Sequence, residues 1–371
     1  MLNLALARER LRSQWIDPPM LAQSPDQVVT HMGGMQAQDY AQAVWAIGLR
    51  CGKTLAEVEN AIREHKIVRL WLMRQTIHFA PRHAVHAILS VTRPRMLGGM
   101  AARLRELELD AATLEKSSAL LVDALRTQGE LDRATLLRLL GEGGISPAGQ
   151  RGYYMLGYAG MQGLIAMGME VKKNPTFFAL DPVGSYEEIR TEEGLAWLVT
   201  RFFASHGPAK LDDFVRWAGV TVGEARRGVA MREQSLTPPD ADGMIRGKSH
   251  LPTLSPTEKM GVGTRRASSA QADGIHLLPG FDEYFIGYKD REAMLDPAHA
   301  DKICPGGNGV FKPMIVSDGE ICGVWSREVK REHVVITPTP FRALTPDERA
   351  GVEAAAGRYG TFLGMGVAVI R

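Results

Sequence analysis

Cysteine is scarce in this sequence: Cys51, Cys304 and Cys322 are the three present in 371 residues, and no two stand in a Cys-x-x-Cys spacing. An odd, scattered set suggests neither a disulfide framework nor a zinc site, so the three read as small buried apolar side chains. Long apolar runs are missing too. No stretch approaches the roughly 18 residues that suggest a membrane span, and the most apolar tail, "FLGMGVAVIR", is far shorter. The opening "MLNLALARERLRSQWI" alternates arginines with Leu and Ala as an amphipathic helix does and lacks a small-residue cleavage site, which gives the expectation of a cytoplasmic chain. Nucleotide-binding loops are also absent: "CPGGNGVFK" has glycines without the required spacing, so no nucleotide cofactor is expected. The acids of "FDEYFIGYKDR" have no histidine or second carboxylate cluster at metal spacing; they read as a salt-bridge seam between modules, and no metal is expected.

What is present is room and an uneven charge. At 371 residues, 45% hydrophobic and 23% charged, the chain can form several modules that each bury a core. The net charge of +2 is uninformative, but its distribution is not. Between 63 and 105 stand nine basic residues, Arg63, Lys66, Arg69, Arg74, Arg82, Arg93, Arg95, Arg103 and Arg105, against the single acid Glu64. A phosphate backbone is the commonest partner of such a cluster; a solvated arginine-laced face is the alternative.

Periodicity supplies the elements. "TLAEVENAIREH" at 54–65 begins with a capping Thr, has Glu three residues later, and lines Leu55, Val58 and Ile62 along one helical face. "IVRLWLM" and "RQTIHF" read as a strand pair, and "PRHAVHAILSVTRP" opens a further helix. Residues 111–180 read as three helices and a hairpin with a basic tip, Lys172 and Lys173, which is the element order of a winged helix. A second copy follows: "TQGELDRATLLRLLG" and "SHGPAKLDDFVRWAG" align without a gap, matching Gly129 to Gly207, Leu136 to Phe214 and Leu137 to Val215. Its third helix is "TVGEARRGVAMRE", bearing Arg226 and Arg227. The last hundred residues are strand-like runs, including "IHLLPGFDEYFIGY", with a helix near 345–357 and a final strand. The expected fold is a helix-rich α+β chain of tandem winged-helix modules: 1–110, 111–185 and 186–254, a linker at 255–274, and a C-terminal β-rich α+β portion at 275–371.

Within the first module, "HMGGMQAQDYAQAVWAIGLR" places Gln36 and Gln38 two apart. On a helix they would diverge by about 200°, whereas an extended segment puts both on one face. Gly33 and Gly34 just before them are good helix terminators, and Asp39 just after reads as the cap of the next helix. The alternative is that the two amides only hydrogen-bond backbone in a turn. Arg74 and His78, four apart on a strand, share a side; they read as phosphate contacts or channel lining, with a core-satisfied histidine as the alternative for His78.

The stretches "VVTHMGGMQAQDYAQAVWAIGLR", "VRLWLMRQTIHF", "SHGPAKLDDFVRWAG" and "LLPGFDEYFIGYKDR" together resemble the AlkZ-like winged-helix DNA glycosylases along nearly the whole chain. The resemblance implies winged-helix modules around a channel for double-stranded DNA, removal of alkylated purines by hydrolysis of the base–sugar bond, and Gln36 and Gln38 as the catalytic pair. A cytoplasmic, nucleoid-associated monomer is expected, with Arg69, Arg74, His78, Lys172, Lys173, Arg226 and Arg227 as candidate DNA contacts; solvated surface is the equal alternative for Lys172, Lys173, Arg226 and Arg227. The family also includes non-catalytic candidates, so a DNA-binding regulator or damage-binding factor is the alternative. Two positions depart from the family pattern: Gln75 stands where a glycine is usual, and Ala37 between the glutamines is smaller than the usual residue.

Overall fold

The spacings that predicted elements do so because they bury one face. In the computed structural model, which describes residues 2–171, 174–180, 191–248 and 274–370, the helix Leu55–Arg63 starts at Thr54. The Thr54 hydroxyl accepts from the Glu57 amide, the Glu57 carboxylate accepts from the Thr54 amide, and Val58 and Ile62 are fully buried. Similar local logic sets the helices Ala111–Gln128, begun by Asp110, and Pro346–Leu363, begun by Thr345.

Six short strands, β1 (Met35–Gln36), β2 (Ile67–Leu72), β3 (Thr76–Pro81), β4 (Leu131–Asp132), β5 (Ile165–Val171) and β6 (Asn174–Ala179), form one sheet in the order β1-β3-β2-β5-β6-β4. Strands β2 and β5 meet at Arg69 opposite Met167, so the first and second stretches of the chain share a sheet. A recurring order runs through it. Residues 25–81 and 111–179 each give a helix, a two-residue strand, two helices and a strand pair. In 191–247, the helices Thr191–His206, Leu211–Ala218 and Val222–Met231 are accompanied by the bridges Ala209 to Ile245 and Leu236 to Gly247. Leu136 and Phe214, matched between the two copies, are both fully buried. Lys172, Lys173 and residues 255–273 of the expected linker lie outside the described residues.

A second sheet, order β11-β10-β9-β8-β7, is built from β7 (Ile275–Leu278), β8 (Met314–Ser317), β9 (Glu320–Val329), β10 (His333–Pro340) and β11 (Gly366–Val369). Its parallel pair, β10 and β11, is joined by the helix Pro346–Leu363, the crossover that parallel pairing requires. "IHLLPGFDEYFIGY", expected to be strand-like, departs from that expectation: β7 stops at Leu278, and Asp282 caps a short helix Glu283–Ile286 by accepting from the Tyr284 amide. A short apolar run buried on all sides carries no periodicity to tell strand from helix. Among the described residues no helix is long and apolar enough to cross a membrane.

The two sheets are tied through the helix Tyr40–Cys51. Trp45 donates from Nε1 to the Leu277 carbonyl at 2.8 Å and meets Tyr359 edge-on. Arg50 reaches Asp282 with both terminal nitrogens, at 3.0 and 2.9 Å, and neither side chain is exposed.

Candidate active site

The helix Pro25–Met32 ends at Gly33, which takes the left-handed φ of 76° that glycine adopts without strain, and Gly34 follows at φ 153°. An added Cβ on Gly33 would lie 2.8 Å from the Arg201 Cβ, so the close approach also demands glycine. The chain then runs extended. Gln36 stands opposite His78, the Ala37 amide donates to the Ile77 carbonyl at 2.8 Å, and Asp39 caps Tyr40–Cys51 by accepting from the Gln42 amide. Burial alternates along it: Met35 and Ala37 are in the core, Gln36 is half-buried and Gln38 exposed. Gln36 thus stands in the short strand and Gln38 at the bend just past it, both on the more exposed side of this alternation.

Charged groups hold this segment from both edges. On the β3 side, Arg69 donates from Nε to the Ala37 carbonyl at 3.0 Å. On the open side, the Gln36 amide donates to Oε1 of Glu283 at 2.9 Å. The other oxygen of Glu283 accepts from Trp217 Nε1 at 3.0 Å and lies 3.4 Å from His206 Nε2. Burial pushes the Glu283 carboxyl up, yet the His206 bond and charge and the Gln36 amide outweigh it and leave it below the ordinary carboxylate value. Gln38 Oε1 accepts from the Ile77 amide at a long 3.4 Å, so this amide also caps the end of the β1–β3 ladder.

The expected contacts distribute unevenly. His78 is buried and donates from Nδ1 to the Thr76 carbonyl at 2.8 Å. Burial, followed by the positive charge of Arg74, lowers its pKa to about 4, with Glu283 opposing. It is therefore a neutral core histidine opposite Gln36, and its burial makes it unsuited to direct phosphate contact. Arg69, 4% exposed, is committed to Ala37 and to Glu170 at 2.6 Å, which removes it too from a free DNA-facing surface. Arg74 is exposed but bonds the carbonyls of Arg216 and Trp217, stitching the β2–β3 turn to the helix Leu211–Ala218. Arg226 and Arg227 are exposed on Val222–Met231. The basic stretch is partly neutralised by acids from elsewhere in the chain, Glu170 on Arg69 and Glu224 on Arg95. Gln75 takes a left-handed φ of 66° and donates from Nε2 to the Met96 carbonyl at 2.6 Å. That backbone explains why glycine suits the position.

Sequence reasoning missed Glu283, His206 and Trp217 as neighbours of the glutamines. Their approach is tertiary; the one signal was the density of acids and aromatics in "FDEYFIGYKDR".

Fold and segment together define a class. The model of the AlkZ-like DNA glycosylase family matches residues 29–362, and the chain belongs to that family. It is 25% identical over 370 residues to an interstrand DNA cross-link repair glycosylase of Streptomyces sahachiroi, with 93% of each chain covered. The solved structure of Streptomyces sahachiroi DNA glycosylase AlkZ matches with a TM-score of 0.73 over 100% of both chains at 21% identity, a likeness of fold.

Proposed function

We propose that this protein is a monofunctional DNA glycosylase that hydrolyses the bond between sugar and a cationic N7-alkylpurine in duplex DNA. The observation that carries the reading is the doubly held segment in which Gln36 and Gln38 are the more exposed residues on either side of the buried Ala37. A glutamine is a poor general base, so the two-carboxylate scheme of glycoside hydrolysis does not apply. An N7-alkylated purine already carries positive charge and needs little protonation to leave. The C1′–N9 bond breaks with its electron pair going to the purine, neutralising it; water adds to C1′ and releases a proton to solvent. The amide oxygens orient that water and stabilise the oxocarbenium-like sugar by dipole alignment. The relative's name, interstrand DNA cross-link repair glycosylase, supports including bulky or cross-linked adducts among the substrates.

The two recurring orders of helices and a strand pair, and the three helices with their two bridges that follow, are read as winged-helix modules at 1–110, 111–185 and 186–254, acting as a monomer on DNA. Arg226 and Arg227, with Lys172 and Lys173, are the proposed phosphate contacts. Arg74 contributes at the channel rim through the turn it anchors.

The test is release of free N7-methylguanine and of bulkier adducts from alkylated duplex DNA. Changing Gln36 and Gln38 together to Ala is expected to slow release by at least about 100-fold with duplex binding unchanged. Wild-type protein that binds duplex but releases nothing across small and bulky adducts overturns the reading in favour of a non-catalytic DNA-binding protein. The bond from Gln38 to the Ile77 amide is the observation that favours that second reading.

A further inference from the structure

We infer that Glu283 is the positioning residue of the glutamine segment: from the open edge of β1 its buried carboxylate holds the Gln36 amide and so sets where the Gln36 side chain stands. The inference rests on the proposed role of Gln36. Strand β1 is two residues long and lies at the edge of its sheet. The Ala37 amide is the one directed at β3, so the Gln36 amide points outward, where a strand edge ordinarily meets solvent or a partner chain. Here it meets Oε1 of Glu283 at 2.9 Å, from a residue 247 positions away. A strand this short has little ladder to fix its register, and a one-residue slip would turn both glutamines to the opposite face.

The rest of the Glu283 environment explains why an acid is used. Trp217 Nε1 and His206 Nε2 face Oε2, at 3.0 and 3.4 Å, while the Gln36 amide takes Oε1. Indole and amide nitrogens can only donate, so both oxygens must accept; a neutral amide would turn its own N–H groups toward one of them. Burying a carboxylate at 1% exposure is costly unless it is used and satisfied. Its donors come from three separated parts of the chain, so this one group registers the edge strand against the helices Thr191–His206 and Leu211–Ala218.

The test is Glu283→Gln in the full chain, measured by single-turnover base release and by duplex affinity. A misplacement near 1 Å costs on the order of 10²-fold in rate, so release is expected to fall about 10- to 100-fold. Duplex Kd should stay within about twofold, because on this reading Glu283 adds no DNA contact. Hydrogen exchange at the Gln36 amide should accelerate in the same variant. Release at the wild-type rate overturns the role. Rate and affinity falling together also overturn it, since the carboxylate would then only hold the fold. If Glu283→Gln does not fold, Glu283→Asp keeps the charge but withdraws it by one methylene; the same loss of rate with intact binding supports positioning, and a wild-type rate overturns it. Wild-type protein that releases no base overturns the glycosylase reading itself, an outcome distinct from an active wild type with an equally active Glu283→Gln.

Discussion

Asp282 and Glu283 are adjacent and both buried, yet they serve two regions of different character. Behind the helix Tyr40–Cys51, Asp282 meets a permanent cation: Arg50 binds it twice and also donates to the Ala46 carbonyl and to Gln14 Oε1. Gln14 donates on to the Tyr288 hydroxyl, which donates to the His206 carbonyl. Beside β1, Glu283 accepts from an amide and an indole and faces a histidine, and among the described residues no guanidinium is bonded to it. The first region is charge-balanced and joins the two sheets. The second keeps a negative group against the segment that carries the glutamines, near His78, whose pKa burial lowers to about 4. One short helix cap thus supplies both the clamp and the site's edge.

Removing the clamp should have the largest effect. Asp282→Ala leaves the Arg50 guanidinium buried and unpaired, and the expected loss is about 3–5 kcal/mol, read by urea denaturation. Glu283→Gln leaves no buried guanidinium unpaired and should cost less stability than Asp282→Ala. The reverse order would erase the distinction between the two regions.

The second region should show itself in acid. His78 titrates near 4 in the folded chain against an ordinary 6.5, so the unfolded chain binds its proton first. Stability from this group is therefore complete above about 6.5 and is lost as pH falls toward 4, on the order of 3 kcal/mol in total. Glu283, lowered as well, loses its contribution only below the unfolded carboxyl value near 4.3. His78→Gln should flatten the slope between pH 6.5 and 4 and leave the steeper loss below it. An unchanged slope would place the acid sensitivity elsewhere.

The smallest effect sharpens the comparison at the turn between β2 and β3. Gln75 combines a left-handed backbone with a bond to Met96. Gln75→Ala loses the bond and keeps the strain, whereas Gln75→Gly loses the bond and relieves the strain. Thermal denaturation should therefore find the Ala variant less stable than the Gly variant by about 1 kcal/mol. Equal stabilities would mean that the turn relaxes around the substitution.

Much of this fold was legible residue by residue. Thr54 with Glu57, Leu55 with Val58 and Ile62, and the alternation in "IVRLWLM" are patterns between near neighbours, and the contacts that form these elements are equally local. Gly33 and Gly34 marked the helix end before Gln36 and Gln38 for the same reason. The helix at Glu283 was not legible, because every side of it is covered and burial leaves no alternation in the run.

By itself, then, the sequence determined most of the elements, their recurrence and the break before the two glutamines, since these follow from backbone geometry over a few residues. Tertiary structure decided what surrounds the glutamines. Arg69 and His78 were drawn inward rather than toward solvent, and Glu283 was brought to the Gln36 amide across 247 positions. The charge of a buried group is balanced by whatever the fold packs against it, and no local spacing encodes that partner.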